Sequence, residues 1–237
     1  MHLTPEDIQL IQNDTKTCPD TGMAGASRSL YMDGNATIIA ANKLLAAMRK
    51  EDGTLRTYDE MKAEGIETKY LGRYETNTTP GLCRLDPNTG IGDPTPAFTY
   101  CLNLAEVEVD TKTGKTTVLK FTCVDFVGRI GNIDAVNGQA YSGIMHGIGF
   151  ALKEDYADVK KHANMFGAGT SYIKDVPDDI NLIHIDGAIS DGPFGSSGAS
   201  EAFQASGHCA VLNGIYNACG VRIHEIPALP EKVKAGL

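Results

Sequence analysis

Between Leu104 and Val124 apolar and polar residues alternate regularly enough to define two strands. Leu104-Ala-Glu-Val-Glu-Val-Asp110 and Thr116-Thr-Val-Leu-Lys-Phe-Thr-Cys-Val124 flank Thr111-Lys-Thr-Gly-Lys115, and Gly114 suits a tight reversal, so the span predicts a β-hairpin. Further strands are expected at 7–14 and near 181–186. Helical spacing predicts one helix from Asn35 to Lys50, with Ile38, Ile39, Leu44, Leu45 and Met48 supplying contacts, and a short second one from Thr57 to Ala63. A glycine-studded helix is expected from Gly138 to Leu152. Gly143, Gly147 and Gly149 each cost about 1 kcal/mol there against alanine, so a close-packed neighbour is expected to compensate. From Ala202 to Gly220 the residues Ala202, Ala205, Cys209, Val211, Leu212, Ile215 and Ala218 predict one long helix, with Gly220 as its stop. Pro227-Ala-Leu-Pro-Glu-Lys-Val-Lys opens a short terminal helix, and Tyr70 to Asp93, poor in apolar residues, reads as an irregular excursion with room for one strand. The expected fold is α+β, helices packed on mixed β-sheet, with residues 1–237 as a single domain.

Composition narrows the function. At 42% hydrophobic content a sizeable core is possible, and a formal charge of −9 argues against nucleic acid as the main partner. No apolar run reaches membrane-spanning length, and the N-terminus lacks the features of a signal peptide, so no membrane association and a cytoplasmic location are expected. The cysteines, at 18, 83, 101, 123, 209 and 219, form no close pair in sequence and are expected to be reduced, Cys209 and Cys219 as buried small hydrophobes of the last long helix. The histidines lack metal-ligand spacing, so no metal held by protein side chains is expected.

Three glycine-rich segments each adjoin a helix: Thr21-Gly-Met-Ala-Gly-Ala-Ser-Arg-Ser29, Asn137-Gly-Gln-Ala-Tyr-Ser-Gly143 and Gly192-Pro-Phe-Gly-Ser-Ser-Gly-Ala-Ser-Glu201. The first offers backbone N–H groups, the Ser27 and Ser29 hydroxyls and the Arg28 guanidinium. It fits either a pyrophosphate cradle or a plain surface loop. Gln139 could bond a heterocycle or simply be solvated. Glu201 falls in the first turn of the expected helix, where it is either a complement to the helix dipole or a base at the floor of a ligand site.

In this order, these segments resemble the C-terminal part of the molybdopterin-binding catalytic subunit of the molybdenum hydroxylases, the xanthine dehydrogenase and aldehyde oxidoreductase family. Asp14-Thr15, Cys18-Pro-Asp-Thr-Gly22 and Gly25-Ala-Ser-Arg-Ser29 carry the likeness, with Ala105–Asp110, Gly138-Gln139, Gly147-Ile-Gly149, Gly192–Glu201, Val221-Arg-Ile223 and Leu229–Val233. The resemblance implies a molybdopterin with molybdenum, in its cytosine dinucleotide form, bound by Gly25, Ala26, Ser27, Arg28, Ser29, Gln139, Gly198, Ala199 and Ser200. It implies Glu201 as the base in oxidation of an aldehyde or aromatic N-heterocycle, with water as the oxygen source. The implied partners are a small-molecule substrate, the remaining part of the molybdenum subunit, and chains carrying iron–sulfur clusters, with or without FAD. Ser200 stands where the family commonly has glycine, His146 where glutamine is usual, and Ser142 where glycine is common. The alternative is a non-catalytic binding or scaffold subunit retaining the fold.

Overall fold

In a computed structural model, residues 14–76, 85–92, 95, 97–189 and 191–237 are described. The chain divides into two compact units, Met1–Pro96 and Ala97–Leu237, where the sequence reads as a single domain.

The first unit is built on α1 (Ser29–Met48), with α2 (Tyr58–Ala63) following. α1 begins six residues before the expected Asn35, running through Gly34 rather than starting just after it. Tertiary contact offsets the weak propensity of Gly34 and Asn35: Tyr31 is buried with its ring 6.1 Å from that of Tyr74, and the 70–76 segment lies against α1. A Cβ on Gly72 would stand 2.9 Å from the Ala40 nitrogen, so only glycine allows this approach. Lys43 Nζ donates to the Leu71 carbonyl at 2.8 Å. α2 starts where expected because Thr57 and Glu60 form a reciprocal capping box, the Thr57 N–H donating to Glu60 Oε2 at 2.7 Å. The described part of the 70–93 excursion contains neither helix nor strand, and the strand expected at 7–14 falls outside the described residues but for Asp14.

The second unit holds the sheet. β1 (Tyr100–Val109) and β2 (Thr116–Phe126) form the expected hairpin, antiparallel, with an irregularity between Glu106 and Val107. β3 (Asp179–His184) joins β2 in parallel, so the order is β1-β2-β3 and the sheet is mixed. The long α3 (Ile133–Leu152) makes the crossover, followed by the single-turn α4 (Met165–Ala168). α3 begins five residues before the expected Gly138, because the Asn132 side chain accepts from the Ala135 N–H at 3.0 Å and caps it.

The expected helix from Ala202 to Gly220 is two helices, α5 (Ser200–Ala205) and α6 (Gly207–Cys219), broken at Ser206. α7 (Pro230–Gly236) ends the chain. The core lies between α3, α5, α6 and the inner sheet face, with Phe121, Cys123, Ile144, Ile148, Phe203, Val211 and Ile215 at its centre. Cys209 is exposed and Cys219 half-buried, so the expectation of two buried thiols fails.

Candidate functional site

In the first unit, Gly25–Ser29 forms the lead-in to α1. Ala26 and Ser27 take positive φ, 60° and 53°, and Arg28 then adopts a right-handed helical conformation. Such alternation turns successive N–H groups toward one side and favours anions. The N-cap residue Arg28 makes no side-chain cap, and the first turn of α1 contains no acid, so that turn brings no carboxylate of its own to the positive end of a 20-residue helix. A Cβ on Gly25 would meet nothing within 4 Å among the described residues, so packing among them does not require this glycine.

The second unit carries the other candidate residues. The loop before α5 is held by its backbone. Gly195 O accepts from the N–H groups of Arg129 at 2.8 Å and Ile189 at 3.0 Å, and Ser196 Oγ donates to the Arg129 carbonyl at 2.6 Å. Gly128 takes φ 80° beneath it, where a Cβ would stand 2.5 Å from Gly195 O. Phe194, at the loop tip, has φ 53° and is 80% exposed, an aromatic side chain held outward by a strained backbone. Gly198 and Ala199 lead into α5, which Ser200 opens, and Glu201 lies in its first turn, exposed.

Gln139 is exposed on α3, one turn before Gly143. A Cβ on Gly143 would lie 2.6 Å from Phe203 Cβ, and one on Gly147 would lie 2.9 Å from Gly207 Cα. The helices bearing Gln139 and Glu201 therefore touch through glycines, and Gly207 at the α5–α6 break is part of the same crossing. Gly138 differs from these: a Cβ there would meet nothing within 4 Å, although glycine costs about 1 kcal/mol in a helix. His146 is half-buried on α3 with its ring 6.4 Å from that of Phe150, and Ser142 is exposed.

A polar cluster absent from the sequence reading lies beneath these helices. Asp125 on β2 is 1% exposed, and its Oδ2 lies 2.7 Å from His184 Nδ1 on β3. His184 Nε2 is 2.8 Å from Asn137 Oδ1 on α3. Burial pushes the Asp125 carboxyl above its ordinary range, and His184 draws it part of the way back. Asn103 Nδ2 donates to Ser206 Oγ at 2.9 Å, tying β1 to the helix break. Cys101 and Cys123 are free thiols with Sγ atoms 3.3 Å apart. The hydrogen bond between them lowers the Cys101 pKa and, together with burial, raises that of Cys123. The available signal was Asp125 inside the apolar run Phe121–Val127, at the parity of the buried strand positions.

A model of the molybdopterin cofactor-binding domain matches residues 1–177, across both units. The chain belongs to that family. An aldehyde oxidoreductase of Megalodesulfovibrio gigas is 42% identical over 237 residues, all of this chain and 26% of that protein. A probable hypoxanthine oxidase of Escherichia coli is 28% identical, covering all of this chain and 26% of its own length. The crystal structure of the aldehyde oxidoreductase from Desulfovibrio desulfuricans superimposes with a TM-score of 0.91 at 44% identity, covering 99% of this chain and 25% of that one. The chain therefore spans about a quarter of the length of the relatives it matches.

The residues of this molybdopterin-binding chain suit such a group. A helix start whose N-cap residue Arg28 makes no side-chain cap, flanked by the Ser27 and Ser29 hydroxyls, matches phosphate chemistry. Among the described residues no group of three His, Cys, Asp or Glu is placed to hold a metal ion, and no helix is long and apolar enough to cross a membrane.

Proposed function

We propose that the chain forms the cofactor-gripping and proton-accepting part of a molybdenum hydroxylase that oxidises an aldehyde, or an aromatic N-heterocycle, with water as the oxygen source. The observation that carries this is the glycine-mediated contact of α3 with α5, which sets the Gln139 helix beside the Glu201 helix. Gly25–Ser29 and the start of α1 would bind the phosphates of a dinucleotide form, of which cytosine is the base favoured by the resemblance. Arg28 would add a charge-assisted bond. Gln139 would bond the pterin, and the open face at Gly138 leaves room for a ligand to approach the helix backbone. When bound, the molybdenum pterin supplies a two-electron acceptor and Lewis acidity. Glu201 accepts one proton at its carboxylate, Gly198–Ser200 shape the approach to it, and the loop pinned at Gly195 keeps it in register. Aldehydes are the favoured substrate class, because the relative at 42% identity is an aldehyde oxidoreductase.

Further polypeptide is expected to complete the site, together with chains carrying iron–sulfur clusters. Tyr100, Leu102 and Leu104 on the outer face of β1 are 64, 59 and 57% exposed, an apolar surface suited to such contact. The test is metal and pterin analysis of the assembly purified with its companion chains, followed by Glu201→Gln. Molybdenum near one per chain is expected, with turnover on aldehydes falling by roughly 10²- to 10⁴-fold in the variant at unchanged metal content. An assembly without molybdenum refutes cofactor binding and leaves a scaffold role. A loaded Glu201→Gln variant with full turnover refutes the role of Glu201.

A further inference from the structure

A carboxylate buried as deeply as Asp125 is a poor device for stability. It costs desolvation energy that an apolar residue of similar volume would avoid, and its Oδ1 is buried with no hydrogen-bond partner. What it does provide is direction. Parallel pairing sets Asp125 opposite His184, so their side chains meet on the inner sheet face. The imidazole spans from Asp125 Oδ2 to Asn137 Oδ1, at 2.7 and 2.8 Å, and so joins β2, β3 and the second turn of α3 in one line.

The location matters because of how α3 is otherwise fixed. From Gly143 onward it is locked by backbone contact with α5 and α6. Before Gly143 the helix packs on the core through Val136 and Ala140, a Cβ on Gly138 meets nothing within 4 Å, and the side-chain hydrogen bond joining this half to the sheet, among the described residues, is that of Asn137. Asn137 and Gln139 are two residues apart, about 200° around the helix at roughly 100° per residue. Holding Asn137 on the sheet side therefore turns Gln139 to the opposite, exposed side.

We propose that Asp125, His184 and Asn137 are positioning residues for the cofactor: their hydrogen-bonded line fixes the roll of the first turns of α3 and thereby aims Gln139. The proposal rests on the cofactor function given above. It adds residues that never touch the ligand.

The two ring nitrogens of His184 allow the line to be cut at either end. An asparagine amide nitrogen can replace Nδ1, so His184→Asn keeps the bond to Asp125 and loses the reach to Asn137. A glutamine amide nitrogen can replace Nε2, so His184→Gln keeps Asn137 and releases Asp125. These variants, Asn137→Ala and the double variant His184→Asn/Asn137→Ala are compared in the loaded assembly by molybdenum and pterin content, Tm, and kcat and KM on an aldehyde. His184→Asn and Asn137→Ala are expected to lose roughly 3- to 10-fold in cofactor content or kcat with little change in Tm, and the double variant to be no worse than either. His184→Gln is expected to hold content and kcat within about twofold while its Tm falls. A purely structural role gives the opposite order, function following stability and His184→Gln the poorer of the two. That order, additive losses in the double variant, or indifference of every variant in a loaded assembly overturns the line. A wild-type assembly without molybdenum overturns the cofactor function itself, and the proposal with it.

Discussion

Gly143→Ala and Gly138→Ala place the same methyl group on the same helix, and the structure assigns them opposite outcomes. Alanine is worth about 1 kcal/mol over glycine in a helix interior, so propensity alone favours both. At Gly138 nothing lies within 4 Å of the new Cβ, and the variant should gain about that 1 kcal/mol. At Gly143 the methyl would stand 2.6 Å from Phe203 Cβ and 2.9 Å from the Phe203 carbonyl carbon, atoms at the root of a fully buried side chain that cannot swing aside. Restoring an ordinary contact of 3.4 Å requires α5 to move by about 0.8 Å. Overpacking of this kind costs about 1–3 kcal/mol, and because the propensity gain is common to both variants, this should be the difference between them. Urea denaturation of the purified chain measures it through the two midpoints. Equal midpoints would refute the claim that α3 and α5 touch through Gly143. Phe203 lies two residues beyond Glu201, so the same displacement should lower turnover in the assembly more than the lost stability explains. A 1 Å misplacement near a reacting group can cost on the order of 10²-fold.

Arg28→Ala should leave stability unchanged, because the side chain makes no capping bond to α1. It should weaken cofactor retention by about 10- to 100-fold, the worth of a charge-assisted hydrogen bond. Molybdenum remaining after gel filtration reads this, and wild-type retention would rule out Arg28 as a phosphate ligand. Asp125→Asn tests the buried carboxyl through pH. Because burial raises the folded pKa of Asp125 above its unfolded value near 3.9, the stability it contributes is full below that value and is lost as pH rises through the folded value. The stability of the wild type relative to Asp125→Asn should therefore fall from about pH 4 upward. Depressed carboxyls, Asp14, Asp52, Glu60, Asp86, Asp110 and Asp175 among them, act in the opposite sense but are common to both proteins and cancel. A difference that is flat from pH 4 to 8, or that grows with pH, would contradict the burial of this group.

Local signals in the sequence marked those elements that local forces decide. Alternation around Gly114 gave the hairpin, and Thr57 with Glu60 gave the start of α2, because pleat and cap are set by residues close in sequence. The start of α1 was misplaced because Gly34 and Asn35 look like a boundary, and only contact with Tyr74 and Gly72, about 40 residues on, makes the helix run through them. The candidate loops were legible from glycine content. Which glycines serve packing, as Gly143 and Gly147 do, and which face open space, as Gly25 and Gly138 do, depends on the fold.

The break at Ser206 shows why the remainder of the site was not legible. Apolar residues continue at helical spacing from Ala202 to Ala218, so periodicity alone predicts one rod. The interruption comes from outside the segment. Gly207 must bring its backbone against Gly147, where a Cβ on either residue would be crowded at 2.9 to 3.2 Å, and Asn103 holds the Ser206 hydroxyl from the sheet. A continuous rod would tie the direction of Glu201 to the long axis of α6. The break frees α5 to follow Phe203 into the core beside Gly143 instead. The orientation of Glu201 is therefore decided by one buried aromatic and two glycine contacts rather than by its own helix, and for that reason a single methyl at Gly143 is expected to disturb both stability and turnover.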